Sequence, residues 1–550
     1  MSRKRKAPVA NDEAARRASP WVVPAALVLT LAAVALAFSG VARHEFLNWD
    51  DPGVLVRNPS LGAPEVVAWA FGTTHSGHYQ PLAWLAWAAV RRGFGAGAAV
   101  HHLASLVLHV ANAGLVFLLA ARLAGVARLG AAAQAPGAVA AALAFGLHPL
   151  RVEPVAWASA FPYVLALLPL LLSLVAYLRF ATRGGLCWFA AALGLYGVSA
   201  LCRPMAPGLA LVLLILDAWL GRAADWRRVA LEKAPFAAIG ATAALAEAGA
   251  RHFAPMERVG LVSRIGDAAW APFVYVGRTL WPSGLTPLDP MPIEPGGSAL
   301  AAFAGVALLS ALTIAAWSLR HRSAALPACW LAFLVLAAPA AGLAPSGLQA
   351  TADRYTYLPG VVLALLVGGA FARGWEVPAR RQLLAGIGLI ASLALAIGTL
   401  RYLPHWRDSR ALWTRALVVD ARNDVALYNL ALALEESGDE DAAVRRYHEL
   451  LRLIPDHAPA RHNRDRLEAK RLEGDANGLA QSGRLAEAID VYSRALALDP
   501  ERLHSRRSRG MALAQLGRFD EAIPDLQAAV AAQPEPALVE ALAYCLRRGR

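Results

Sequence analysis

Residues 21–40 read WVVPAALVLTLAAVALAFSG, and residues 41–52 continue VARHEFLNWDDP. The first stretch is uncharged and apolar, near the ~20 residues a helix needs to cross hydrocarbon. It predicts a retained membrane anchor rather than a cleaved leader, because Phe38-Ser39-Gly40-Val41-Ala42 runs straight into charged residues with no convincing peptidase site. Directly after it stand two adjacent carboxylates, Asp50 and Asp51. A carboxylate pair at a membrane edge is costly to place and points to function.

The rest of the chain extends this pattern. Of 550 residues, 57% are hydrophobic and 17% charged, well below the roughly 25% charged residues of soluble domains. Mean hydropathy is +0.42. These values describe an integral membrane protein. The net charge of +13 does not imply nucleic acid, because residues 403–550 hold 22 basic and 23 acidic groups and are nearly neutral. The excess lies between apolar runs, as in Arg16-Arg17, Arg222 with Arg227-Arg228, Arg320 with Arg322, and Arg380-Arg381. That is the positive-inside distribution of a multi-span protein. The four scattered cysteines suggest neither a disulfide framework nor a zinc site.

Apolar runs predict eleven spans, near 21–40, 101–123, 136–150, 162–180, 186–202, 205–220, 233–250, 298–318, 324–344, 357–373 and 382–402. Residues 267–282 read as a re-entrant or interfacial stretch. The basic segment 1–20 is then cytoplasmic, the first large loop (41–100) is extracytoplasmic, and the region after 402 lies outside. The fold class is all-α: a polytopic helix bundle at 21–402 in an inner membrane, followed by an extracytoplasmic (periplasmic) helical array at 403–550.

That array shows a 34-residue period. Ala431, Gly438, Ala443, Tyr447 and Pro455 mark a unit at 424–457. Ala476, Gly483, Ala488, Tyr492 and Pro500 mark one at 469–502, and Gly510, Gly517, Ala522, Ala529 and Pro534 one at 503–536. An eleven-residue insertion separates the first two, and 405–420 resembles half a unit leading in. Small residues at helix crossings with a glycine at the turn give the tetratricopeptide-repeat signature of an α-solenoid, a fold that presents a concave binding surface.

Four polar islands interrupt the hydrophobic half. They are Asn48-Trp49-Asp50-Asp51 continuing to His78-Tyr79-Gln80-Pro81, His148-Pro149-Leu150-Arg151-Val152-Glu153-Pro154, Cys202-Arg203-Pro204-Met205, and Ala352-Asp353-Arg354-Tyr355-Thr356-Tyr357-Leu358-Pro359. On the span count all four fall at extracytoplasmic helix ends, which is consistent with one shared site.

With these islands in this order, followed by the repeats, the chain resembles bacterial relatives of the transmembrane and tetratricopeptide-repeat O-mannosyltransferases, which have the GT-C glycosyltransferase fold. Glu232-Lys233-Ala234-Pro235-Phe236 and Trp281-Pro282 add to the resemblance. It departs at two places: Gln80 stands where members tend to have Arg, and the uncharged Ser159-Ala160-Phe161-Pro162-Tyr163 where they carry a basic–acidic pair.

The resemblance implies transfer of a sugar, mannose in the named family, from a polyprenyl-phosphate donor to Ser/Thr of exported proteins captured by the repeats. Such transfer needs a base for the acceptor proton; Asp50 and Asp51 are the candidates, with Asp50 preferred. A leaving phosphate needs cations with a forked geometry, for which Arg354, Arg203 and Arg264 are candidates. His148, Glu153, His78, Asp353 and Tyr355 are expected to bind sugar or support the site. No independent metal-ligand spacing appears, although His78 could join a divalent cation with the Asp pair. His101, His102 and His109 read as packing or interhelical hydrogen-bonding groups. Transfer to an envelope glycan or lipid, and an inactive membrane scaffold that uses its repeats for protein interaction, are the alternatives. The implied contacts are lipid-linked sugar, acceptor protein and membrane lipid, with no nucleic acid.

Overall fold

The protein is described here from a computed structural model, which covers residues 21–250, 261–290, 299–342 and 349–549. The basic N-terminal segment 1–20 lies outside the described residues.

Two compact units divide the chain, Met1–Val419 and Asp420–Arg550. Composition changes at 403, but the helix Ser409–Val419 falls in the first unit, where it buries Leu412, Trp413 and Ala416.

The first unit contains α1 (Val22–Phe38), α2 (Val66–Gly72), α3 (Pro81–Phe94), α4 (Ala98–Val126), α5 (Ala131–Gly146), α6 (Val152–Ala156), α7 (Phe161–Arg183) and α8 (Leu186–Cys202). It continues through α9 (Leu209–Trp219), α10 (Trp226–Ala250), α11 (Leu261–Leu280), α12 (Ala299–Ser318), α13 (Ala325–Ala337), α14 (Pro359–Trp375), α15 (Arg381–Tyr402) and α16 (Ser409–Val419). Among the described residues the only strand pairing is a short antiparallel one of Asp289–Pro290 with Gln349–Thr351. It joins the loop after α11 to the fourth polar island.

Each apolar stretch read as a span contains a helix among the described residues, but six helices, not eleven, have the length and apolarity to cross a membrane: Val22–Arg43, Ala98–Val126, Ala158–Arg183, Trp226–Ala250, Leu300–His321 and Pro378–Trp406. A seventh crossing requires the pair Ala131–Gly146 and Pro149–Ala156, which is bent by 57°. The bend falls where Pro149 cannot continue the helical hydrogen bonding. The apolar helices Leu186–Cys202, Leu209–Trp219, Ala325–Ala340 and Pro359–Trp375 are shorter. With 11 residues, α9 spans only about 16 Å of a ~30 Å core. The stretch read as interfacial is α11, which carries Arg264, Asp267 and Arg278 among its apolar residues.

Polar contacts gather at one end of this bundle. The C-terminal ends of α1, α5, α8, α10 and α15 meet the N-terminal ends of α4, α7 and α14 there. Three contacts illustrate it: the His102 Nε2–Glu45 carbonyl pair (3.3 Å), Thr399 Oγ1 donating to the Leu147 carbonyl (2.7 Å), and Ser159 donating to Asp51. At the opposite end α7, α9 and α10 are tied by a buried ionic knot. Arg222 bridges Asp217 (2.7 Å) and Glu232 (2.9 Å), Lys233 pairs with Asp217, and the Tyr177 hydroxyl donates to Asp217 at 2.6 Å. Between these layers His109 bonds Tyr357 Oη (2.9 Å) and the Gly146 carbonyl (3.0 Å), so it serves as an interhelical tie.

The second unit is a chain of helix pairs: α17 (Asp424–Glu436) with α18 (Glu440–Leu453), α19 (Ala458–Gln481) with α20 (Leu485–Leu498), and α21 (Leu503–Gln515) with α22 (Phe519–Ala532), closed by α23 (Pro536–Arg548). Gly438, Gly483 and Gly517 turn each pair with φ of 83°, 79° and 75°, a left-handed conformation that glycine adopts without penalty. Close packing explains the small residues; a Cβ on Gly510 would lie 3.0 Å from Leu526 Cγ. The insertion at 458–468 is itself helical and continuous with the following unit, so α19 has 24 residues against 13 in α17 and α21. All four cysteines are unpaired.

Candidate active site

The site begins where α1 ends. Residues 44–51 leave the bundle and return, held by both neighbours of the carboxylate pair. Asp51 is fully buried. Its Oδ2 accepts from the Leu47 N–H (2.8 Å), and its Oδ1 accepts from both the N–H (2.9 Å) and the hydroxyl (2.5 Å) of Ser159. Burial pushes its pKa up to about 6 against these stabilising donors. With both oxygens committed, Asp51 fastens the loop to the start of α7. This separates two residues that the sequence had paired as catalytic candidates.

Asp50 faces the other way and is exposed. Even so, enough protein crowds its carboxyl that partial desolvation raises its pKa, while the fields of Arg354 and Arg203 pull it down. Asp50 is thus a solvent-reachable carboxylate within the field of two arginines.

Arg354 is fixed from several sides. Its guanidinium pairs with Glu153 Oε1 and donates to Gln349 Oε1 (2.7 Å), and its backbone N–H donates to Glu153 Oε2 (2.9 Å). The guanidinium carbon sits 5.2 Å from the Trp157 ring and 4.8 Å from the Tyr355 ring. Trp157 in turn stacks on Trp49 at 4.4 Å, so an aromatic pile connects Arg354 to the residue preceding Asp50. Glu153 is fully buried and supports the site by holding Arg354. Tyr355 packs against the same guanidinium.

Arg203 donates to Gln80 Oε1 at 3.0 Å, lies 3.4 Å from His78 Nε2 and covers the Tyr163 ring at 4.3 Å. The His78 ring thus accepts at Nε2 and donates from Nδ1 to Glu247 Oε1 (2.7 Å). Both departures from the resembled family enter these contacts. Gln80 offers Arg203 a carbonyl oxygen where a second guanidinium would repel it, and the uncharged Ser159 and Tyr163 anchor Asp51 and underlie Arg203.

Asp353 is fully buried. Its Oδ1 accepts from Arg278 at 3.2 Å, while Oδ2 has no hydrogen-bond partner. Burial and the nearby Glu153 raise its pKa. Arg278 also binds Asp289 (2.8 Å), which accepts from the Thr351 hydroxyl (2.5 Å). Of the two arginines on α11, the structure brings Arg278 to the island. Arg264, the sequence candidate, lies fourteen positions away, about 21 Å along a straight helix. His148 is also displaced from its expected role: it accepts from the Leu150 N–H (3.2 Å) and donates to the Thr279 carbonyl (2.9 Å), which ties the bend before α6 to α11.

The structure thus unites all four islands around Asp50, Arg354 and Arg203. It adds Trp157, Ser159, Tyr163, Glu247, Arg278 and Gln349, which sequence reasoning missed. Trp157 and Ser159 stood in or beside quoted motifs, whereas Glu247 and Arg278 lie outside the four islands, within α10 and α11, and give no local signal. Among the described residues no three His, Cys, Asp or Glu side chains are grouped to hold a metal ion.

Two tetratricopeptide-repeat family models match residues 425–457 and 477–547. No curated protein matches the sequence. Among solved structures, the crystal structure of the P58(IPK) TPR domain is 15% identical, with 68% of this chain and 96% of that chain covered and a TM-score of 0.16, a score at which the likeness carries no argument. The C-terminal part of this chain therefore carries tetratricopeptide repeats, the module of protein interaction.

Proposed function

We propose that the membrane unit is a GT-C-type glycosyltransferase that moves a sugar from a polyprenyl-phosphate donor to Ser/Thr hydroxyls of exported proteins presented by the repeats. The reading rests on the field of Arg354 and Arg203 on Asp50, together with the contacts that bring the four islands to one end. In the step, Asp50 takes the proton of the acceptor hydroxyl as its oxygen attacks the anomeric carbon. The anomeric C–O bond to phosphate breaks on the opposite face. The phosphate leaves with the electron pair, and Arg354 and Arg203 meet its growing charge. Attack and departure on opposite faces invert the anomeric centre. Trp157, buried between Trp49 and Arg354, fixes the position of the residue that precedes Asp50.

Eleven crossings remain the topology we favour. Counting the bent pair and the four short helices, alternation puts every polar island at one end, with α11 lying along that end. The connections at the other end contain Arg128, Arg183, Arg222, Arg322 and Arg380, which supports a cytoplasmic assignment there and a periplasmic one for the site and repeats.

Intact-glycopeptide mass spectrometry tests the proposal in deletion cells that carry wild type or Asp50→Asn at matched expression. Sugar on Ser/Thr peptides with wild type alone is the expected result, and identical glycoproteomes would overturn it. The matched repeats favour one competitor, a scaffold without chemistry. It would show itself by an inert Asp50→Asn together with a phenotype on repeat deletion.

A further inference from the structure

A second charged feature lies outside this site. The helix Pro378–Trp406, long and apolar enough to cross a membrane, turns at its end into α16. The inward face of α16 buries Leu412, Trp413 and Ala416. The other face encloses a cavity of about 310 Å³ lined by His405, Arg407, Arg410, Thr414, Arg415 and Val418, together with Ala411. Three arginines and a histidine thus contribute to its lining. Asp408 bonds Arg407 at 2.8 Å and caps the Ala411 N–H at 2.7 Å, so one carboxylate faces one of these arginines. Arg415 is held in place through its Nε, which donates to the Leu285 carbonyl at 2.9 Å.

We propose that this hollow binds the phosphate of an anionic lipid head group. Three features argue for it. Arginine matches phosphate oxygens with a fork of donors. The volume stands at the lower end of ligand pockets, roughly 300–1,000 Å³, which suits a phosphoester and is cramped for a peptide. The hollow also lies at the last turn of a span-length helix, the level at which lipid head groups lie. The hollow is separate from the Asp50 site and does not depend on the glycosyltransferase reading. It would anchor α16, whose opposite face contacts the Asp50 loop, to the bilayer surface.

The test is native mass spectrometry of the full-length protein released from nanodiscs that contain phosphatidylglycerol or phosphatidylcholine. Wild type should retain phosphatidylglycerol preferentially. The double substitution Arg407→Gln with Arg410→Gln, which leaves Arg415 on its carbonyl, should lower that retention about tenfold, as expected for lost charge-assisted hydrogen bonds. The lysine pair Arg407→Lys with Arg410→Lys should keep most of it. Should the double variant misfold, Thr414→Glu places an anion in the hollow from an exposed position and should abolish retention. Displacement of the lipid by inorganic phosphate would show that the phosphate itself is read and that free phosphate also occupies the hollow. Equal retention by wild type and both charge variants, or no preference over phosphatidylcholine, would overturn the proposal.

Discussion

The indole N–H of Trp413 donates at 2.6 Å to the side-chain oxygen of Asn48, which stands two positions before Asp50 in the loop. Asn48 is held a second time, since its N–H donates to Ser409 Oγ at 2.9 Å, while the Glu45 N–H donates to the Arg407 carbonyl at 2.8 Å. Trp49 packs 5.2 Å from the Trp413 ring. The loop that carries Asp50 is thus strapped to the segment that leads into the second unit.

Trp413→Phe keeps an aromatic ring and removes the donor. We expect a stability loss of about 1–3 kcal/mol, from the lost hydrogen bond and the void left by a smaller ring at a fully buried position. Sugar transfer should fall mainly in kcat, because Asp50 shifts while Arg354 and Arg203 stay in place. Steady-state kinetics in nanodiscs, read beside melting temperature, check both.

Asp51 gives the protein a pH signature. Its pKa is raised in the folded state, to about 6 from 3.8, so the folded protein binds the proton more tightly than the unfolded chain. The stability it contributes is full below pH 4 and is lost as pH rises through about 6. Asp51→Asn should flatten that slope in thermal melts between these values. It should also cost about 1–3 kcal/mol throughout, since an amide satisfying Ser159 turns its NH2 toward the Leu47 N–H.

Glu153→Gln should unsettle the protein far more than Arg203→Gln. The first strips a buried arginine of its charge partner, a loss of about 3–5 kcal/mol. The second removes a half-buried cation whose direct partners, Gln80, His78 and Tyr163, carry no formal negative charge, with a stability change near 1 kcal/mol or less. In the Arg203 variant the effect should appear as a raised KM for the lipid-linked donor, measured at fixed acceptor.

Cys187 is the exposed member of the four cysteines and lies at the α7–α8 connection, away from the site end. On the proposed topology a membrane-impermeant maleimide added to intact spheroplasts should leave it unmodified and should label it after permeabilisation. Labelling before permeabilisation would reverse the assigned orientation.

What was legible in the sequence follows from what a single position can reveal. Asp50, Arg203 and Arg354 stand out because a charge beside an apolar run has few structural excuses. Arg278 does not, because it shares a helix with Arg264 and only the pairing of Asp289–Pro290 with Gln349–Thr351 decides which arginine meets Asp353. Asp50 and Asp51 looked alike until Ser159, over a hundred residues away, claimed both hydrogen-bonding positions of one oxygen. The repeats were clear from their period, whereas the helical state of 458–468 was not. That stretch lacks the spacing marks of a unit, and its helix shows only as the continuation of the next one. Span number was the least legible, since hydropathy measures a stretch while prolines and polar islands decide how much of it runs straight.

The strap between residues 45–49 and 407–413 also dictates where this polypeptide can be divided. A fragment cut at 402, where composition changes, would lose Ser409 and Trp413 and leave Asn48 and Trp49 uncovered. A cut after Val419 keeps every one of those contacts. The boundary for exchanging the repeat array therefore lies behind Val419, where the Asp50 loop keeps its strap.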